Sequence, residues 1–149
     1  TLPFGQYDAD KLINLGSNRW VFSPQLGIWH RMRHLTFEAY AGIWLFTDNN
    51  DFLGSQVRSQ KPLYTFQVHA SYEFKNGVWI AVSTRQSLGG VVTVDDEDPL
   101  DPESNNRLGL AISIPLTPKY FIKVLATTAA TSTGGNDYNT LGLVWQMVF

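Results

Sequence analysis

Residues Leu141–Phe149 read LGLVWQMVF. Leu141, Leu143, Trp145, Met147 and Phe149 fall on every second position, which is the period of a β-strand with one wholly apolar face. In water such a face has to be covered. The candidates are a second sheet, another protein, or lipid. The rest of the chain bears on which of these it is.

The same alternation recurs in six upstream segments, and no convincing segment has helical period. Arg19–His30 aligns Trp20, Phe22, Leu26 and Ile28. His34–Phe46 aligns Leu35, Phe37, Ala39, Ala41, Ile43 and Leu45. Leu63–Phe74 aligns Tyr64, Phe66, Val68, Ala70, Tyr72 and Phe74. Val78–Ser87 aligns Val78, Ile80 and Val82. Arg107–Leu116 aligns Leu108, Leu110, Ile112, Ile114 and Leu116. Tyr120–Ala130 aligns Tyr120, Ile122, Val124 and Ala126. The opposite faces are polar with a few aromatics and small residues, and all the charges inside segments (Glu38, Glu73, Arg85, Arg107 and Lys123) fall on them. Pro24 lies within the first segment and has no N–H for a ladder, which predicts a bulge or break there.

A soluble sandwich or barrel turns its apolar face inward, whereas a membrane barrel turns it to lipid and lines its lumen with the polar face. The connections separate the two. Those at 31–33, 75–77 and 117–119 are short; those at 47–62, 88–106 and 131–139 are long, and the two kinds alternate strictly. Tight turns at one end and long polar loops at the other are the asymmetry of an outer-membrane barrel. Segments of about ten residues suit a tilted crossing of a bilayer. Trp20, Phe46, Tyr64, Tyr72, Phe74, Tyr120 and Phe149 near segment ends fit interfacial girdles, although aromatics are also simply good strand formers. The expected fold is therefore an all-β, antiparallel up-and-down transmembrane barrel in the bacterial outer membrane.

Composition agrees with this. Charged residues are 16% of the 149, below the roughly 25% of soluble domains, and aromatics reach 13%. No apolar run approaches the ~18 residues of a spanning helix. The net charge of −2 offers no nucleic-acid footprint, and the absence of cysteine excludes disulfides and thiolate metal sites. Seven segments leave the first and last at opposite ends, which an even-stranded closed barrel forbids. The expectation is that residues 1–149 are the carboxy-terminal part of one larger barrel domain, with Thr1–Asn18 in an external loop and further strands, or a partner chain, completing the wall. Alternatively, Lys11–Leu15 adds one more strand.

Several stretches resemble the MetA-pathway phenol-degradation family of outer-membrane proteins. They are PFGQYDADKLINLGSNRWVFSPQLG (Pro3–Gly27), AGIWLFTDNNDFLG (Ala41–Gly54), KPLYTFQVHASYEF (Lys61–Phe74), NNRLGLAISIPLTPKY (Asn105–Tyr120) and NTLGLVWQMVF (Asn139–Phe149). NLGSNRW and FTDNNDF are the specific parts; the strands are generic. The resemblance implies an outer-membrane barrel passing small hydrophobic or aromatic compounds, and it transfers no catalytic residue. The final strand also resembles an outer-membrane assembly signal. Leu143, Trp145, Met147 and Phe149 would then be read by the barrel-assembly machinery, and membrane lipid would cover the opening stretch.

Chemistry-bearing residues are few. Glu38, Tyr40, Gln67, His69, Arg85 and Lys123 are the expected lumen-lining set, either a charged constriction that selects solutes or a network that stiffens the wall. His30 and His34 flank a turn beside Arg31 and Arg33, a setting for lipid headgroups or solvent rather than metal. Asp95–Asn106 holds six acids, and Thr47–Gly54 two more. Hard oxygen ligands at this density bind Ca²⁺ in some loops, but the spacing is not that of an EF-hand, and a solvated loop explains them as well. No HExxH, GxSxG or phosphate-binding glycine loop occurs, so no enzyme is expected, and no metal or cofactor is called for. The expected function is a passive channel for small hydrophobic solutes. The alternatives are a structural or adhesive barrel with a blocked lumen, and a soluble barrel binding an apolar ligand.

Overall fold

The computed structural model describes residues 1–97, 102–133 and 138–148. Among the described residues all regular structure is strand. The strands are β1 (Val21–Phe22), β2 (Gln25–Met32), β3 (Leu35–Phe46), β4 (Asn49–Phe52), β5 (Gln56–Gln60), β6 (Leu63–Glu73), β7 (Trp79–Gly89), β8 (Val92–Val94), β9 (Glu103–Pro115), β10 (Tyr120–Thr133) and β11 (Thr140–Met147).

The main sheet is antiparallel and runs in chain order, from β1 and β2 through β3, β6, β7, β9 and β10 to β11. β1 and β2 both pair with β3, placing Val21 opposite Phe46 and Gln25 opposite Gly42. They are one strand broken at Ser23 and Pro24. Pro24 cannot donate, but its carbonyl accepts from the Ile43 amide at 3.2 Å, so the break costs the sheet little. Counted this way, the sheet holds the seven crossing segments that alternation marks. The tight connections β2–β3, β6–β7 and β9–β10 gather at one end; Arg33 (φ 55°) and Gly77 (φ 80°) take left-handed backbone in two of them. β2 and β11 are edges and do not pair with each other, so the sheet is open.

Cross-strand partners share a face, and the register therefore sorts every side chain. Leu35, Tyr72, Ile80, Ile112, Val124 and Leu143 form one unbroken apolar row from β3 to β11. The neighbouring positions on the other face run Thr36, Ser71, Ala81 and Ala111. Exposure inverts the rule for a sheet in water. Thr65, Ser87 and Ser113 are 8%, 9% and 0% exposed, whereas Phe66, Val82 and Ile114 are 50%, 57% and 43% exposed. Leaving such side chains in water would forfeit about 1.5–3 kcal/mol each. In lipid the same exposure costs nothing. Leu143 and Trp145 of the closing strand are likewise exposed, with Trp145 stacked on Tyr120 at 5.6 Å. Phe149 lies outside the described residues.

Rings gather where the apolar band ends. Tyr72 and Phe74 meet edge-to-face at 4.8 Å near the tight turns, and Phe4, Trp20 and Phe22 form a second cluster near the long connections. Phe46 does not join it. By the pleat it lies on the polar face, where the Arg19 guanidinium sits 4.5 Å above its ring.

Two long connections are more ordered than their sequence announces. β4 and β5 form a hairpin closed through Leu53 (φ 46°) and Gly54 (φ 96°), and β8 pairs with β5 to make a small three-stranded sheet. β9 and β10 also extend beyond Arg107 and Ala130, with a bulge between Ala129 and Thr131. These parts carry no regular alternation, and β4 buries both Asn49 and Phe52. The acidic stretch begins as a turn: the Asp95 carboxylate accepts from the Val57 amide at 2.7 Å. Residues 98–101 of that stretch lie outside the described residues.

A charge placed on either face of one strand tests this assignment. Val68→Lys, on the apolar face of β6, should destabilise the full-length protein in lipid vesicles by about 2–4 kcal/mol. Ser71→Lys, on the polar face of the same strand, should cost less than about 1 kcal/mol. Denaturant titration reads both, and equal losses would contradict a lipid-facing β6.

Candidate functional site

The polar face of β3, β6 and β7 concentrates the chemistry-bearing side chains. Glu38 and Tyr40 stand two apart on β3, and the Tyr40 hydroxyl donates to Glu38 Oε2 at 2.8 Å. Across the ladder, Glu38 is opposite His69 and Tyr40 opposite Gln67. Gln67 Nε2 contacts His69 Nε2, and the Tyr40 and His69 rings meet edge-to-face at 5.9 Å. Four of the six expected lining residues therefore form one contiguous cluster. Beside it, Glu38, His69, Ser71, Glu73, Trp79 and Ala81 line a recess of about 330 Å³.

The remaining charges are distributed around this cluster. Arg31 Nη2 pairs with Glu73 Oε2 at 2.6 Å, closing the turn end. Lys123 lies 5.5 Å over the Trp79 ring, with Trp79 between it and the recess-lining glutamates. Arg85 is opposite Gln67 on one side and Arg107 on the other. Arg107 donates to the Tyr138 carbonyl at 2.7 Å and to Thr127 Oγ1 at 3.4 Å, and stacks on the Tyr138 ring at 3.9 Å. The roles of Arg31 and Trp79 are not visible in sequence. Arg31 reads as a turn residue, and its reach to β6 depends on the register of β2 with β3 and β3 with β6.

At the long-connection end, the amino-terminal residues pack on the small sheet. Asn49 is 2% exposed. Its side chain donates to Tyr7 Oη at 2.6 Å and accepts from Asn18 Nδ2 at 3.0 Å and from the Asp51 amide at 3.1 Å. Trp20 and Thr47 exchange two hydrogen bonds, and Arg19 Nη2 donates to Gln60 Oε1 at 2.5 Å. Burial, and then the nearby Arg58, pull the Arg19 guanidinium below its ordinary pKa; Asp48 opposes them. His30 and His34 remain at the tight-turn end. His34 meets the Tyr72 ring at 5.9 Å, and no group of metal-ligating side chains occurs among the described residues.

The MetA-pathway of phenol degradation family matches residues 1–145. The chain belongs to that family. The crystal structure of an outer membrane channel from Pseudomonas putida F1 superimposes with a TM-score of 0.83 at 22% identity, covering 99% of this chain and 57% of that one. Comparison with curated proteins gives no significant match. The chain thus has the fold of an outer-membrane β-barrel and spans 57% of the length of the channel it matches. NLGSNRW (Asn14–Trp20) and FTDNNDF (Phe46–Phe52), on which the resemblance to this phenol-degradation family is most specific, are the segments that lock together through Asn18, Asn49, Asp51, Trp20 and Thr47. They build the cap over the strand ends.

Asn49 is the centre of that cap. Asn49→Ala should loosen it by about 1–3 kcal/mol, the cost of stranding buried polar partners. Limited proteolysis of residues 1–20 and 47–60 in intact vesicles should speed up, while the heat-resistant gel mobility of the barrel should not change. An unaltered digestion rate would show that the cap does not depend on this network.

Proposed function

We propose that this chain is the carboxy-terminal part of a bacterial outer-membrane channel through which small hydrophobic or aromatic compounds diffuse passively. Preceding strands, pairing between the β2 and β11 edges, would complete the wall. The polar face would line the lumen, with Glu38, Tyr40, Gln67, His69, Arg85 and Lys123 among its groups, and lipid would cover the other. One observation supports this above the rest: the side chains buried within the main sheet, Thr65, Ser87 and Ser113, are polar, whereas Phe66, Val82 and Ile114 on the apolar face are exposed. That arrangement has a use only where the outer solvent is lipid and the inner one is water. It also disfavours a soluble barrel with an apolar interior. The recess between His69, Trp79 and Glu38 offers rings and hydrogen-bonding groups side by side, which suits a small aromatic solute. Passive diffusion needs no cofactor and no catalytic residue. In the same reading, the apolar face of β11, with Leu143, Trp145 and Met147, is what the barrel-assembly machinery recognises.

Planar-bilayer recording of the full-length protein tests the proposal. Discrete conductance steps are expected. Ala81→Trp projects an indole into the recess and should lower the unit conductance by about half, with gel mobility of the folded barrel unchanged; a constriction is what sets passage in such pores. A folded wild-type protein with no conductance would favour the structural or adhesive barrel instead.

A further inference from the structure

Among the described residues, the charged groups of the polar face are not all neutralised. Arg31 is paired with Glu73 at 2.6 Å; Glu38, hydrogen-bonded to Tyr40, and Lys123, over the Trp79 ring, keep opposite charges in the rows nearer the tight turns. Arg85 and Arg107 remain. They are direct cross-strand partners on β7 and β9, a position that brings Cβ atoms to within about 5 Å. Like charges there repel, yet no carboxylate contacts either guanidinium among the described residues, and Arg85 makes no hydrogen bond at all among them. Their ladder neighbours are Gly27, Tyr40, Gln67 and Ala129, all uncharged. The next polar-face row towards the long connections is Gln25, Gly42, Thr65, Ser87 and Asn105, again uncharged. Arg107 is also held in place, by the Tyr138 ring at 3.9 Å and the Tyr138 carbonyl at 2.7 Å. Its position is fixed by groups that leave its charge in force.

We propose that Arg85 and Arg107 form an anion-attracting step in the lumen, so that the channel prefers small anionic solutes, carboxylates included. The inference rests on the channel reading above and adds the sign of the charge it selects. Guanidinium forks hydrogen-bond carboxylates in their own plane. Two adjacent, uncompensated ones focus the field where low-dielectric walls surround a water path, and such clusters raise local counter-ion concentration.

The test is the reversal potential of the full-length protein in a planar bilayer, under a KCl gradient and then a potassium acetate gradient. Wild type should reverse on the anion side in both. Arg85→Gln with Arg107→Gln should lower the anion-to-cation permeability ratio roughly tenfold, the low end of what focused charge does to local ion concentration. Arg85→Lys with Arg107→Lys should keep most of the preference, and its folding controls for the loss of the Tyr138 contacts. A wild type that reverses on the cation side, or a Gln pair that leaves the ratio unchanged, overturns the anion step while the channel reading stands. A folded protein that conducts nothing overturns both.

Discussion

Hydrocarbon supplies no hydrogen bonds. A chain that crosses it must satisfy its own backbone and present only apolar side chains outward, and a β-strand meets the second demand by alternation alone. The whole main sheet follows from that constraint. It fixes the period of two, because a strand that slipped by one residue would turn Glu38, Arg85 and Lys123 into lipid. It fixes where strands can be tight and where they can wander, because only the segments outside the bilayer are free to carry polar residues on both faces. It also allows Pro24, since a single missing donor is tolerated where the neighbouring carbonyl still finds the Ile43 amide.

The same constraint explains how much the sequence discloses. The apolar face is written in every crossing strand from Leu35 to Met147, while the opposite face mixes polar groups with Trp44, Phe121, Leu125 and Val144. The bounds fall within a few residues: Val78–Ser87 is expected and Trp79–Gly89 found, with the shift at the watery end. Beyond the crossing strands the signal vanishes. β4, β5 and β8 read as loop because NNDF and QVRSQ have no apolar side to declare, and the Glu103–Asn106 part of β9 is polar throughout. Phe46 reads as a girdle residue from its type, whereas the pleat puts it on the polar face beneath Arg19.

The candidate site was legible to a different depth. Alternation alone assigns Glu38, Gln67, His69, Arg85 and Lys123 to one face. It does not say which of them touch. That depends on register between strands far apart in the chain: Glu38 meets His69, 31 positions on, only because β3 and β6 align at Leu35 and Tyr72 (69 − 38 = 31). The Arg31–Glu73 pair needs two successive registers, β2 with β3 and β3 with β6, and Arg31 has the sequence setting of a turn.

Within the polar face, the pairings divide the sheet by height. Towards the tight turns, charges find partners: a carboxylate for Arg31, a hydroxyl for Glu38, an indole face for Lys123. Higher up, Arg85 and Arg107 face each other across β7 and β9. Placing like charges on directly opposite positions costs a sheet roughly 0.2–1 kcal/mol, a small penalty that glutamine at either position would have removed. Stability therefore gives no reason for the arginines. The Tyr138 ring and carbonyl orient Arg107 without neutralising it, so the arrangement keeps two positive charges side by side on the polar face.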